Sequence, residues 1–456
     1  MTNRTVASSA LMIACLIAAI TSPVLAADFK KGLEAFNAKD YAAALAEWVP
    51  LAENGDLNAM YNIALIYDEG LGVVEDKVKA TIWYLEPATR GDVAAQYNLA
   101  TIYDYGQGGV EENNEEAAKW YLAAAKQADE QAQFNLGFMY GIGEGVDIDF
   151  AESIKWYRLG ADQGHVASQY NLGYAYDMGQ GIAEDNEQAL RWYEKAAKQG
   201  DADAHYAIAL IYDQGDGVPE DNLTAIEWYV RAAEQGHSRA QFNAAVMYDV
   251  GEGIEEDNEL AVHWYRAAAE RGHANAQFNL GVMFESGEGT AIDYPEAMKW
   301  YRSAAEQGAP QAQYAVAMLF DHGSGVAEDN AAAIAWYERA AAQGDADAQN
   351  NLGAMFDAGE GTREDNAEAI KWYSLSADQG NPIAQNNLGA MYYTGEGAKL
   401  DRVQAYKWFY IAERLGSEDG RQNRIKSSKG MRSADVGEAK RLARQWLSDF
   451  EEKEYD

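Results

Sequence analysis

Residues 200–235 read GDADAHYAIALIYDQGDGVPEDNLTAIEWYVRAAEQ, and Gly236 opens the same pattern again. In the first half, 202–212, apolar residues recur at helical spacing. In the second, 222–235, Ala225, Trp228, Tyr229, Ala232 and Ala233 fall on one stripe. Both halves predict amphipathic helices joined by a glycine-containing turn. The unit recurs along the chain. Of twelve tryptophans, eleven form a ladder, Trp48, Trp83, Trp120, Trp156, Trp192, Trp228, Trp264, Trp300, Trp336, Trp372 and Trp408, stepping by 36 residues from Trp120 onward. Repeats start at Gly55, Gly91, Ala128, Gly164, Gly200, Gly236, Gly272, Gly308, Gly344 and Gly380. Such a period marks a stacked repeat protein, so the expected fold is an all-α solenoid of helix pairs, not the two or three globular domains that the length alone suggests.

The ends depart from the pattern. Arg4, the apolar run 11–20 and the small-residue site at Val24 and Ala26 read as a secretory signal removed after residue 26. A lipoprotein cleavage at Cys15 fits poorly, because the apolar run continues past it and Met12 is a poor match. Cleavage after Ala26 leaves no cysteine, so stability has to come from packing. Residues 27–54 are expected as a capping half-repeat holding a lone second-type helix at 41–53, 55–415 as ten repeats, and 416–456 as capping helices.

The loop DQGDGVPEDN at 213–222 invites a calcium reading, since Asp68, Asp104, Asp177, Asp213, Asp249, Asp321 and Asp357 each open a D-x-G-x-G segment. A hard cation needs six or more oxygens, and the loop lacks alternating acids and a terminal bidentate glutamate. The acid seven residues before each tryptophan has a plainer role: Asp76, Asp149, Asp185, Asp221, Asp257, Asp293, Asp329, Asp365 and Asp401, with Asn113 in the second repeat, stand where a helix N-cap belongs. Glu116, Glu152, Glu296 and Glu368 follow three residues after four of these caps, as in a capping box. No metal or cofactor is expected.

The unit A-x-x-x-N-L-G-x-M-Y-x-x-G-x-G-V-x-x-D-x-x-x-A-x-x-W-Y-x-x-A-A-x-x-G is carried at 167–200 by ASQYNLGYAYDMGQGIAEDNEQALRWYEKAAKQG, with Ala175 and Ile182 in the methionine and valine places. It resembles the Sel-1-like repeat, a relative of the tetratricopeptide repeat, over nearly all of 41–415. The tail ADVGEAKRLARQW also looks like the one that often closes bacterial members. The resemblance implies a right-handed α/α superhelix with first helices lining a concave surface. It further implies an adaptor role: an assembly scaffold, a periplasmic negative regulator of a membrane sensor kinase, or a host-interaction factor. A cysteine-rich branch is described as penicillin-binding or weakly β-lactamase-like, but its members carry a cysteine pair per repeat and the mature chain has none.

On the first helices, the position of Tyr61, Tyr97, Phe134, Tyr170, Tyr206, Phe242, Phe278 and Tyr314 is aromatic in eight repeats and becomes Asn350 and Asn386 in the last two. With Asn135, Asn171, Asn243 and Asn279 beside it, this stripe is the candidate groove for an extended peptide or apolar helix. The competing reading is core between neighbouring first helices. The switch to asparagine suggests a second surface in the last two repeats. The tryptophans are expected as core, with Trp228→Ala costing about 3–5 kcal/mol.

The net charge is −37. It disfavours nucleic acid and anionic lipid as partners and keeps an exported protein soluble. No G-x-S-x-G, phosphate-loop, H-E-x-x-H or C-x-x-C motif is present, and His165, His237 and His273 simply follow turn glycines. The sequence thus predicts a monomeric, non-enzymatic, exported scaffold, periplasmic and reaching a membrane only through a protein or peptide partner.

Overall fold

The structure, a computed structural model, describes residues 27–454, so the expected signal segment 1–26 lies outside the described residues. Those residues form 24 α-helices and no strand. The chain divides into two compact units with a boundary at Ala196/Ala197. Repeats 1–4 lie in the first and repeats 5–10 in the second. Within each, the two helices of a repeat pack together and then against the next repeat in chain order. The result is an α/α solenoid architecture with a core made locally, repeat by repeat.

Alanines let the backbones approach and one aromatic plugs the gap. In repeat 5, Ala204 on the first helix (Ala202–Gln214) and Ala225 and Ala232 on the second (Asn222–Glu234) are fully buried. The centre of each plug is the tyrosine after the tryptophan. Tyr84, Tyr121, Tyr193, Tyr229 and Tyr337 are 0 % exposed. The tryptophans lie beside it: Trp48, Trp120, Trp156, Trp192, Trp300, Trp336 and Trp408 are buried, whereas Trp83, Trp228, Trp264 and Trp372 are only half-buried. The expectation of a core ladder therefore holds for seven of the eleven and is corrected for the other four, Trp228 among them. Cationic side chains cover their outer faces, as Arg231 does Trp228 at 4.4 Å and Lys195 does Trp192 at 3.4 Å.

Every expected N-cap is present. Asp221 accepts from Thr224 N, Asn113 from Glu116 N and Asp185 from Gln188 N. The capping box is not. The cap's own N–H donates to the end of the first helix, as Asp149 does to Tyr140 O at 2.9 Å. Glu152 instead holds Lys155 at 2.9 Å, and Glu116, Glu296 and Glu368 do likewise with Lys119, Lys299 and Lys371. The interhelix loop is bound to the cap, so the glutamate has no donor to reach back to. Glycine is needed twice in that loop. Gly287 takes φ 82°, and a Cβ on Gly289 would lie 2.1 Å from Asn258 O at the start of the preceding repeat's second helix.

A ladder of buried glutamines, unmarked by the sequence reading, links successive repeats. Gln277 Nε2 donates to Ala269 O at 3.0 Å, and Gln307 Nε2 reaches Gln277 Oε1 at 2.7 Å. Gln96 with Gln127, Gln313 with Gln343 and Gln349 with Gln379 repeat the arrangement. In repeat 6 the outer position is Arg271, and Gln241 Oε1 is buried without a partner. Arg271→Gln is therefore expected to raise stability by about 1–2 kcal/mol by satisfying that oxygen. An unchanged or lower urea midpoint would contradict it.

The chain ends are more complete than expected. Phe29–Asn37 forms a short first helix against Tyr41–Glu53, so the segment before repeat 1 is a helix pair and not a lone helix. Trp48 Nε1 donates to Phe29 O at 3.2 Å, and Gly32 leaves room for the indole. Glycine and polar lysines break the apolar period there, which hid the helix. After repeat 10, Glu418–Ser428 and Ser433–Glu454 follow, and Trp446 packs on Trp408 with ring centroids 5.8 Å apart.

Candidate functional site

The aromatic stripe is neither core nor free surface. Tyr97, Phe134, Tyr170, Tyr206, Phe242, Phe278 and Tyr314 are all half-buried. Each tilts onto the buried tyrosine of its own repeat, at centroid distances from 5.5 Å for Tyr170–Tyr193 to 6.0 Å for Phe242–Tyr265. Except in repeat 3, where Gly141 holds the place, the buried tyrosine in turn donates to an acid near the end of the first helix. Tyr229 reaches Asp213 at 2.8 Å, Tyr265 reaches Asp249 at 3.0 Å, and Tyr301 reaches Glu285 at 2.6 Å. Burial, and then the adjacent carboxylate, push these hydroxyls far above the ordinary tyrosine range, so they stay protonated donors. The acids that suggested a calcium loop are thus tyrosine acceptors, and among the described residues no cluster suited to a metal forms.

The candidate asparagines divide. Asn243 donates to Tyr229 Oη at 3.1 Å and Asn279 to Tyr265 Oη at 3.0 Å, each reaching back to the preceding repeat. These two act as staples between repeats, whereas Asn135 lies along the groove beside Phe134. Asn171 instead bonds Ala167 O on its own helix at 2.8 Å. The asparagines at the end of the stripe form relays inside the stack. Asn387 donates to Asn350, Asn350 to Asn351, and Asn351 to Tyr337, while Asn423 donates to Asn386. That accounts for the change of residue without a second binding surface.

Four residues beyond the stripe, the first compact unit exposes large aromatics. Phe138 is 46 % exposed and Tyr174 42 %, and Tyr105, at the end of the first helix of repeat 2, is 64 % exposed. A groove of about 510 Å³ is floored by Phe134, Phe138 and Met139, flanked by Tyr105 and Asn135, and rimmed by Asp104, Glu112 and Glu144. A smaller hollow of about 150 Å³ continues from Phe138 to Asn171 and Tyr174. Three of the sequence-predicted residues, Phe134, Asn135 and Asn171, therefore line open space, whereas the rest of the stripe supports the repeats. In the sequence this row, four residues on from the stripe, reads as its mostly apolar partner row, Leu65, Thr101, Phe138, Tyr174, Leu210, Val246, Val282, Met318, Ala354 and Ala390; what the sequence does not mark is that its two aromatics, Phe138 and Tyr174, stand exposed.

The three turn histidines are functional parts of the frame. The Nδ1 atoms of His165, His237 and His273 accept from the backbone N–H of Ser168, Ala240 and Ala276, capping first helices. His273 also stacks on Phe242 at 4.6 Å. Burial, the leading cause, holds all three below the ordinary histidine range. A depressed folded value means the contribution is whole above the unfolded pKa, about 6.5, and is lost as pH falls through the folded value. Asp345 performs the same task in repeat 9. His273→Asp is expected to lose about 1 kcal/mol less than the wild type between pH 7.5 and 5. Parallel melting curves over that interval would refute it.

The Sel1 repeat model matches this chain ten times, at residues 57–92, 93–129, 130–165, 166–201, 202–237, 238–273, 274–308, 310–345, 346–381 and 382–417. Among solved structures, the chain is similar to c5321, a protective antigen of uropathogenic Escherichia coli displaying an SLR fold. Identity is 33 %, coverage 92 % of this chain and 91 % of the other, and the TM-score 0.75. It is also similar to a Sel1 repeat protein from Oxalobacter formigenes, at 34 % identity, covering 68 % and 89 % of the two chains, with a TM-score of 0.52. No curated protein matches the chain. Sel1 repeat solenoids are typically non-enzymatic and commonly serve as protein-interaction scaffolds. Ten matched repeats and a relative of the same architecture along nearly the whole length place this chain in the Sel1 repeat family.

Proposed function

We propose that the protein is an exported, periplasmic, non-enzymatic scaffold that binds a protein or peptide through the first-helix face of repeats 2–4. The observation that carries the reading is the groove at Phe134, Phe138 and Tyr105, continued by the hollow at Tyr174. Large apolar side chains left exposed side by side are what a partner's apolar residues cover. The rest of the stripe is spent on holding repeats together.

The test is an affinity pull-down from envelope extract with residues 27–456, wild type beside a Phe138→Ala/Tyr174→Ala variant. Both side chains are more than 40 % exposed, so the variant is expected to melt within a few degrees of the wild type. A partner retained by the wild type and depleted at least tenfold on the variant supports the face. Equal retention by both would move the interaction elsewhere on the chain.

A further inference from the structure

We propose that the groove between repeats 2 and 3 captures a lysine side chain of the partner polypeptide, its ammonium held among Asp104, Glu112 and Glu144 and its aliphatic stem lying on Phe134 and Phe138. This rests on the scaffold reading and specifies the chemistry of its partner.

Repeat 1 displays the occupied form of the site. There Asp68, the last residue of the first helix, stands where repeat 2 has Asp104, one residue before its helix ends, and Glu75 precedes the cap, as Glu112 does. Lys77 fills the space. Its Nζ lies 2.9 Å from Asp68 Oδ1 and 3.6 Å from Glu75 Oε1, and it also donates to Asp68 O at 2.8 Å. In repeat 2 the residue equivalent to Lys77 is Asn114, whose neutral Nδ2 ties Glu112 and Glu144 together at 3.0 Å each. The carboxylates remain and the cation is gone.

No basic side chain lines the 510 Å³ groove. Asp104 accepts from Tyr121 Oη at 3.1 Å, and burial followed by repulsion from Glu112 outweighs that bond, raising it above the usual carboxylate range. A half-buried acid with like charges beside it is relieved by an ammonium. The apolar floor separates this from a merely acidic surface, because a lysine carries four methylenes that Phe134 and Phe138 can cover.

The experiment is fluorescence anisotropy with the mature chain and a fluorescein-labelled eight-residue peptide alternating lysine and leucine. Beside it run the same peptide with every lysine acetylated, the variants D104N/E112Q and F138A, and the control D216N/E252Q. The control removes the same charge from exposed loops of repeats 5 and 6. Expected are a loss of at least tenfold on acetylation and in D104N/E112Q, about fivefold in F138A, and less than twofold in the control. Binding absent from the wild type, or weakened equally by the control, overturns the site. The two readings fail separately. A partner pulled down equally by wild type and D104N/E112Q overturns the lysine site and leaves the scaffold, whereas no retained partner overturns the scaffold.

Discussion

Tyr229→Ala is expected to destabilise the protein by about 3–5 kcal/mol, more than Trp228→Ala at about 2 kcal/mol. The order reverses what side-chain size suggests. Tyr229 is 0 % exposed and touches Tyr206 at 5.8 Å, and its hydroxyl sits in a chain from Asn243 through Tyr229 to Asp213. Trp228 is half-buried, with His205 on one side and Arg231 over its ring. Truncating the tyrosine opens a cavity and strands both an amide and a carboxylate. Truncating the tryptophan removes a partly wet ring. Tyr229→Phe separates the two losses: it keeps the packing and is expected to cost about 1–2 kcal/mol for the hydroxyl alone. Urea midpoints for the three variants give the ranking, and a tryptophan variant worse than the tyrosine variant would refute it.

That reversal shows where the sequence is legible. Periodicity alone yields the helix pairs, since the eleven tryptophans mark the register and Asp221 and its equivalents mark each second helix. Depth is harder to read. Trp228 and Tyr229 are neighbours on one helix, and which points inward depends on a rotation of about 100° per residue that a stripe of apolar letters does not resolve. Polar partners are harder still. Gln277 and Gln307 are 30 residues apart, and only the packing of the two helices of one repeat makes them a pair. The candidate site suffers from the opposite problem. Tyr97, Tyr206 and Phe242 recur because every repeat needs its plug supported, whereas Phe138, Tyr105 and Tyr174 are local departures whose meaning comes from exposure.

Lys77→Met should show how strongly the acid pair of repeat 1 depends on a cation. The Lys77 and Asp68 side chains are 12 % and 11 % exposed, and Asp68 also accepts from Tyr84 Oη at 3.1 Å. Removing one member of a buried pair leaves the other charged and desolvated, so a loss of about 3 kcal/mol is expected, well above that of an exposed pair such as Arg90–Glu86. Most of that loss is the stranded carboxylate rather than the attraction itself. Lys77→Met/Asp68→Asn should therefore recover about half of it, because asparagine still accepts the Tyr84 hydroxyl without carrying charge. If the double variant is no more stable than Lys77→Met, the lysine acts through packing of its stem and not through its ammonium. Recovery would establish in repeat 1 the electrostatic need that repeat 2, with Asn114 in the lysine's place, leaves for a partner to meet.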